Sequence, residues 1–533
     1  MAYLDSFADD GTSPKHRTQD MRRSFTHVAF PLALTLFLQQ LNSPEGARHW
    51  KNDVKHNPIF CCDNEIVTKN QNSRQNQKGH FLSKYHGIFD GRQEQIVVVI
   101  RPEFLPREEP TEKMTETAPR EVSSLLNAYV GGGQLPGAYV GVIEKGKKSP
   151  KYQYSVGWEN NDEKAFGKFG EKAIYRIFSM TKAIVSVCVM KLVEEKTLDL
   201  DSPISKYLKE FKKHPKVCVE GGEGEQRKFE EARQEITVRH LLTHTSGISY
   251  GFLPPADSYV HKCYRERKIA SLDELFHHTS EELVKRIADC PLLFHPGEHY
   301  QYSMSTDVLG YLLEVILGKN LADILREMVF QPLGMNDTDF WVPKEKISRV
   351  RPAYAMNIGY VISPVKGHPS FGETETRGLG KAPVLASGGG GLFSTAEDYL
   401  KFMGMLLNEG TFNGAKILKS ETVKQMVTKN QLPSSTIAES LFPGGYPALT
   451  GKGWCLLGTV LTEPSKAAGC SKASTGEYGW GGYASTYFNI DPVKDRVSAH
   501  DAAATKTRTI ASSSIAVMDT IKCDSFPRFA LSF

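Results

Sequence analysis

The apolar positions of this chain change rhythm several times, and each rhythm predicts an element. From Gly137 to Lys147, and again from Tyr152 to Trp158, valines and tyrosines alternate with other residues across a break of Gly, Lys, Ser and Pro, which predicts an antiparallel hairpin. After Ile177 the pattern closes up. Ile184, Val185, Val187, Val189, Met190, Leu192 and Val193 leave almost no polar face, as in a helix buried at the centre of a domain. A helix is expected from Asp307 to Leu317, another from near Ala396, and a strand from Thr486 to Ile490. His214 to Glu235 is charged, contains glycine and lacks an apolar period, so it reads as a solvated loop between helices. Residues 1–113 are polar and irregular apart from Val28 to Leu38. The regular segments thus fall within 114–495, one large domain whose stretch from roughly 195 to 375 is mainly helical, followed by an atypical tail at 496–533. No internal repeat is evident.

Composition narrows the class. Hydrophobic residues at 40% and charged residues at 24% match ordinary soluble usage, and no run approaches the roughly 20 apolar residues that span a bilayer. The net charge of +4 arises from 65 basic and 61 acidic residues spread along the chain, without the basic stripe that a nucleic-acid partner requires. Nine cysteines, an odd number without a CxxC pair, argue against a disulfide framework or a zinc site, and Cys188 reads as a small buried thiol in the apolar helix. Val28 to Leu38 follows Met21, Arg22 and Arg23 and has the length of a signal-peptide core. If translation began at Met21 it would resemble one. Otherwise it is a short apolar stretch in a disordered leader, which is the preferred reading. A cytoplasmic enzyme is favoured, with the compartment left open.

The candidate chemistry lies at the start of the buried helix. Ser179 and Lys182, three residues apart, share one helical face, so the amine reaches the hydroxyl. Burial and the positive end of the helix dipole both favour the neutral, basic amine, and the dipole favours a developing alkoxide. A second SxxK, Ser363 and Lys366, contains Pro364 and is followed by Gly367 and Pro369, so no helix holds that pair. His244, His277 and His278 lack a metal-binding spacing and read as structural or surface residues, there is no GxSxG elbow, and the glycines after Ser387 lack the Lys of a phosphate loop.

The FSMTK segment resembles the nucleophile motif of serine beta-lactamases, penicillin-binding proteins and related esterases. The similarity extends to ITVRHLLTHTSGI at Ile236 to Ile248, to Phe294–Gly297 leading into Tyr300–Ser303, to SGGGGLFST from Ser387, and to Tyr478–Tyr483 with Trp480, Gly481 and Gly482. It covers about 114–495. It implies an α/β fold, an antiparallel sheet flanked by helices plus a mainly helical domain, with the active site in the cleft between them. It further implies Tyr302 as proton relay, and the amides of Ser179 and Tyr483 as an oxyanion hole. Trp480 either flanks the acyl chain or packs in the core. Trp-Gly-Gly where beta-lactamases carry a KTG-like triad points to the esterase and transesterase branch.

Two departures matter. Met304 stands where beta-lactamases place an amide after the tyrosine, which argues for small esters, thioesters or amides over lactams and leaves beta-lactamase activity weak at most. In the tail, Arg496 to Thr509 has too few β-branched or aromatic residues for the family's next strand, and only Ile510 to Ile521 offers a short helix. The strand beside Gly481–Tyr483 is then expected to be unpaired, which keeps open a catalytically impaired relative acting as a binding or scaffold module. The expected enzyme acylates Ser179, needs no cofactor or metal, and takes a small acyl substrate. The sequence does not fix its oligomeric state.

Overall fold

The computed structural model describes residues 120–131, 137–157, 170–213, 215–219, 228–253, 258–351, 376–432, 451–467, 473–484 and 486–497. It also gives the strand pairing of Phe81–Phe89, Arg92–Ile100, Tyr354–Met356, Ile362–Pro364, Val517–Met518 and Ile521–Cys523. The chain divides into two compact units, 1–112 and 113–533. In the first, Phe81–Phe89 and Arg92–Ile100 form an antiparallel hairpin; Val28 to Leu38 lies outside the described residues.

The second unit opens with helix α1 (Arg120–Gly131) and the hairpin of β1 (Gly137–Val142) and β2 (Tyr152–Gly157), paired from Gly137↔Gly157 to Val142↔Tyr152. Val122 and Leu126 of α1 pack on Ala138, Val140 and Val142. Strand β3 (Ile174–Arg176) then leads through a 3₁₀ turn, Phe178–Met180, into α2 (Thr181–Glu194), whose side chains are buried almost all round. That burial explains its unbroken apolar sequence.

His214 to Glu235 is not a plain loop. It carries β4 (Lys216–Val219) paired with β5 (Lys228–Glu231). One face of β4 is tied down, with Val217 buried, the Cys218 amide donating to the Leu292 carbonyl at 3.0 Å and the Leu292 amide to Lys216 at 2.8 Å. The whole of β5 is exposed, so no apolar period announces it. The next long helix, α3, runs from Ser305 to Leu317 rather than from Asp307, and Gly318 ends it in the left-handed conformation. It packs against α2. The second SxxK is indeed not helical, since Ser363 lies in the strand Ile362–Pro364.

β6 (Phe393–Thr395) pairs with β3, and α4 (Ala396–Leu407) lies against the main sheet, with Tyr399 and Phe488 ring centroids 5.5 Å apart. That sheet is an antiparallel meander of β7 (Lys452–Trp454), β8 (Thr459–Leu461), β9 (Tyr478–Gly482), β10 (Thr486–Asp491) and β11 (Arg496–Val497). The tail departs from expectation. Strand β12 (Val517–Met518) lies within the span expected to offer only a helix, and it pairs with Thr486 and Tyr487. Because β11 holds Ile490 and Asp491, the outer edge of β10 is covered at both ends, and β9 is paired on both sides.

Gly482 shows how closely β9 backs onto the turn before α2. A Cβ there would come within 2.4 Å of the Ile177 carbonyl oxygen and 2.2 Å of Thr486 Oγ1. Because the first of these is backbone, Gly482→Ala is expected to cost about 1–3 kcal/mol, read as a lower denaturation midpoint. An unchanged midpoint would mean that β9 does not sit against that turn.

Candidate functional site

The site is built on a pinned turn. The Ile177 amide donates to the Leu392 carbonyl at 3.1 Å, the Leu392 amide to Thr181 Oγ1 at 3.2 Å, and the Tyr399 hydroxyl to the Met180 carbonyl at 3.0 Å. Thr486 Oγ1 reaches the Ile177 carbonyl at 3.4 Å from the sheet. Within this frame Phe178 adopts φ +40°, a region that bulky residues enter only when their surroundings force them. The Phe178 ring is buried against Tyr483, with centroids 5.7 Å apart. Ser179 alone in the turn stays half-exposed, between buried Phe178 and Met180.

One helical turn on, buried Lys182 places its Nζ 3.3 Å from Ser179 Oγ, 3.2 Å from the Tyr250 hydroxyl and 2.6 Å from the Gly389 carbonyl oxygen. Loss of solvent brings its pKa down from 10.5 to about 7, against the pull of the Asp307 carboxylate. A neutral amine has two hydrogens and one lone pair. The Gly389 oxygen can only accept and the Tyr250 hydroxyl can also accept, so the lone pair is left for the Ser179 hydroxyl.

Tyr302 sits across from Lys182. Its hydroxyl accepts a hydrogen bond from Trp480 Nε1 at 3.1 Å and shares another with Ser179. Lys182 Nζ lies 4.7 Å from the centroid of its ring. Burial raises the Tyr302 pKa above its ordinary 10.0, only partly offset by those two hydrogen bonds. Buried His244 forms part of the floor, its ring centroid 4.7 Å from Tyr302 and 5.1 Å from Trp454, with Nδ1 2.9 Å from Ser303 Oγ. Burial, then the nearby Lys182, pushes its pKa well below the ordinary value, so it is a neutral structural group. His277 and His278 lie apart from this cluster at the ends of short helices. Trp480 is half-buried and packs edge-on to Trp454, with centroids 4.6 Å apart. Gly481 and Gly482 close β9, and half-exposed Tyr483 follows beside Phe178. The seven candidate residues are therefore gathered around one turn. Among the described residues no cluster of His, Cys, Asp or Glu could hold a metal.

Met304, the departure noted in the sequence, is fully buried in the core. Two contributors, Tyr250 and Asp307, were not singled out as site residues from the sequence. Tyr250 lies just beyond the THTSGI segment and takes a place on Lys182. Asp307 accepts from Ser387 Oγ at 2.6 Å and from the Gly389 amide at 3.0 Å. Gly389 has no room for a side chain, since a Cβ would meet Asp307 Oδ2 at 2.3 Å and the Tyr250 hydroxyl at 2.8 Å. Asp307 offered one signal, an acidic residue at the head of an otherwise apolar helical run, whereas Tyr250, between Ser249 and Gly251, offered none.

This arrangement can deprotonate a serine hydroxyl and hold a phenol beside it. The model of the beta-lactamase family matches residues 122–506. The esterase EstB of Burkholderia gladioli is 30% identical over 335 residues, spanning 61% of this chain and 76% of EstB. The acyltransferase calJ of Penicillium decumbens is 28% identical over 286 residues, spanning 52% of this chain and 62% of calJ. Among solved structures, EstCE1, a hydrolase with promiscuous acyltransferase activity, superposes with a TM-score of 0.59 at 23% identity, covering 76% of this chain and 93% of EstCE1. The chain belongs to the beta-lactamase family, and within it stands with the esterases and transesterases built on the penicillin-binding-protein fold.

Proposed function

We propose that this chain is a serine esterase or transesterase that forms an acyl-enzyme on Ser179 from small esters, thioesters or amides and passes the acyl group to water or an alcohol. The observation that carries the reading is the 3.3 Å contact between Ser179 Oγ and the amine of Lys182, an amine also held by Tyr250 and Gly389. In the proposed sequence Ser179 Oγ attacks the acyl carbon as its proton passes to Lys182. The amides of Ser179 and Tyr483 receive the developing oxyanion. Collapse breaks the bond to the leaving group, which takes a proton from Tyr302, and Tyr302 regains one from Lys182. Water or an alcohol then attacks the acyl-enzyme while the same groups receive its proton, and Ser179 is freed. Trp480, held by Tyr302, would wall the acyl side. EstB is named an esterase and calJ an acyltransferase, which supports both fates of the acyl group.

Ser179→Ala is expected to abolish labelling by a fluorophosphonate and turnover of a short p-nitrophenyl ester. Lys182→Ala should slow acylation by about two to four orders of magnitude without unfolding the chain. Undiminished turnover in either variant overturns its assignment.

Acylation needs the neutral amine, whose pKa lies near 7, while Tyr302 stays protonated well above that value. The specificity constant kcat/KM should therefore rise with pH through about 7, reporting the free enzyme. A flat profile between about pH 5 and 9 would remove Lys182 as the base.

Met304 in place of an amide, and Trp480 beside Tyr302, favour esters over lactams. kcat/KM for p-nitrophenyl acetate or butyrate should exceed that for a chromogenic cephalosporin. The reverse order would refute this substrate class.

A further inference from the structure

The proposed base is useful only if its lone pair, and not one of its hydrogens, points at Ser179. That direction is fixed from behind. Lys182 gives its shortest hydrogen bond, 2.6 Å, to the Gly389 carbonyl. This carbonyl belongs to a glycine run with little stiffness of its own. What holds the run is a buried carboxylate near the start of α3. Asp307 Oδ1 accepts both the Ser387 hydroxyl at 2.6 Å and the Gly389 amide at 3.0 Å. The amide and carbonyl of Gly389 thus face two partners, the carboxylate and the amine, and the contact leaves no space for a Cβ.

We infer that Asp307 is a positioning residue for the proposed base: by clamping Ser387 and Gly389 it aims the Gly389 carbonyl at Lys182 and so turns the amine's lone pair toward Ser179. This inference rests on the acyl-enzyme reading given above. The hydrogen bonds of Asp307 go to Ser387 and Gly389 rather than to Ser179, so its influence on the hydroxyl passes through Gly389 and Lys182.

The same carboxylate also acts on Lys182 through charge. The groups facing Lys182 are Ser179 on its own turn, Tyr250 from the loop, Tyr302 and His244 on the aromatic side, and Asp307 from α3. Burial holds His244 neutral and raises both phenols, so within this set Asp307 is the acid whose charge bears on Lys182. Burial raises the carboxyl pKa of Asp307, and the hydrogen bonds from Ser387 and Gly389 oppose that rise. Its charge favours the ammonium and delays release of the proton as pH rises. Removing the charge while keeping the shape should therefore produce two opposite effects: a slower plateau because the amine is misaimed, and an acid limb displaced toward lower pH because the amine deprotonates more easily.

The test is Asp307→Asn in the full chain, followed by fluorophosphonate labelling rates and p-nitrophenyl butyrate kinetics across pH. The expected result is a plateau kcat reduced about tenfold or more with KM little changed, together with the displaced acid limb. A purely structural role would lower the amount of active enzyme without moving the limb. Ser387→Ala, which deletes one of the two clamping bonds but keeps the charge, should give a smaller fall of the plateau, and it keeps the test open if Asp307→Asn fails to fold. If the unmodified chain labels at Ser179 and the folded variants neither lower the plateau nor move the limb, the role of Asp307 is overturned while the acyl-enzyme reading stands. If the unmodified chain does not label at Ser179, both fall together.

Discussion

Everything at this site depends on the Ile177–Met180 turn being held from three directions at once. The loop at Leu392, the helix residue Tyr399 and the sheet residue Thr486 each bond its backbone. A backbone so restrained can keep Phe178 at φ +40°, which a free chain would relax. The strain lies one residue before Ser179. It leaves Ser179 half-exposed between two buried neighbours, with its hydroxyl facing the amine of Lys182. Close approach of β9 completes the frame and explains the absence of a side chain at Gly482.

The electrostatic design is sparse. Lys182 is lined by phenol rings rather than by acids, with centroids at 4.7 Å for Tyr302 and 5.4 Å for Tyr250. Ring faces attract an ammonium modestly, whereas a directly paired carboxylate would hold the proton firmly. Burial then dominates and leaves the amine close to its switching point near neutral pH. The single carboxylate in the cluster bonds to Ser387 and Gly389, so its effect on the amine is exerted through space and through the glycine run.

The sequence made some of this legible and hid the rest for physical reasons. Ser179 and Lys182 stood out because a polar pair with helical spacing opens a run that is otherwise apolar on every side. The β1–β2 hairpin followed from alternation and turn residues, and the start of α4 from the resemblance around SGGGGLFST. Tyr302 and the Trp480–Tyr483 stretch were identifiable only through resemblance, since a lone tyrosine carries no periodic signal. Tyr250 and Asp307 were passed over because their meaning depends on Lys182 and Gly389, which are distant in sequence. The β4–β5 hairpin was missed because exposed β5 needs no apolar residues, and β12 because a two-residue strand is too short to register a period.

The spread of the site along the chain bears on its birth as well as its chemistry. The hydrogen bond from Thr486 to Ile177 joins residues 309 positions apart. Closing so long a loop costs little more than closing a shorter one, because the entropic cost grows only logarithmically. Time is the larger burden. At about 5–20 residues per second, a ribosome needs roughly 15–60 s to extend the chain from Ile177 to Thr486. Through that interval the apolar α2 has emerged without the sheet that braces its leading turn, and exposed apolar surface of that kind is prone to aggregate. The turn that carries Ser179 lacks its sheet contact until Thr486 has been made.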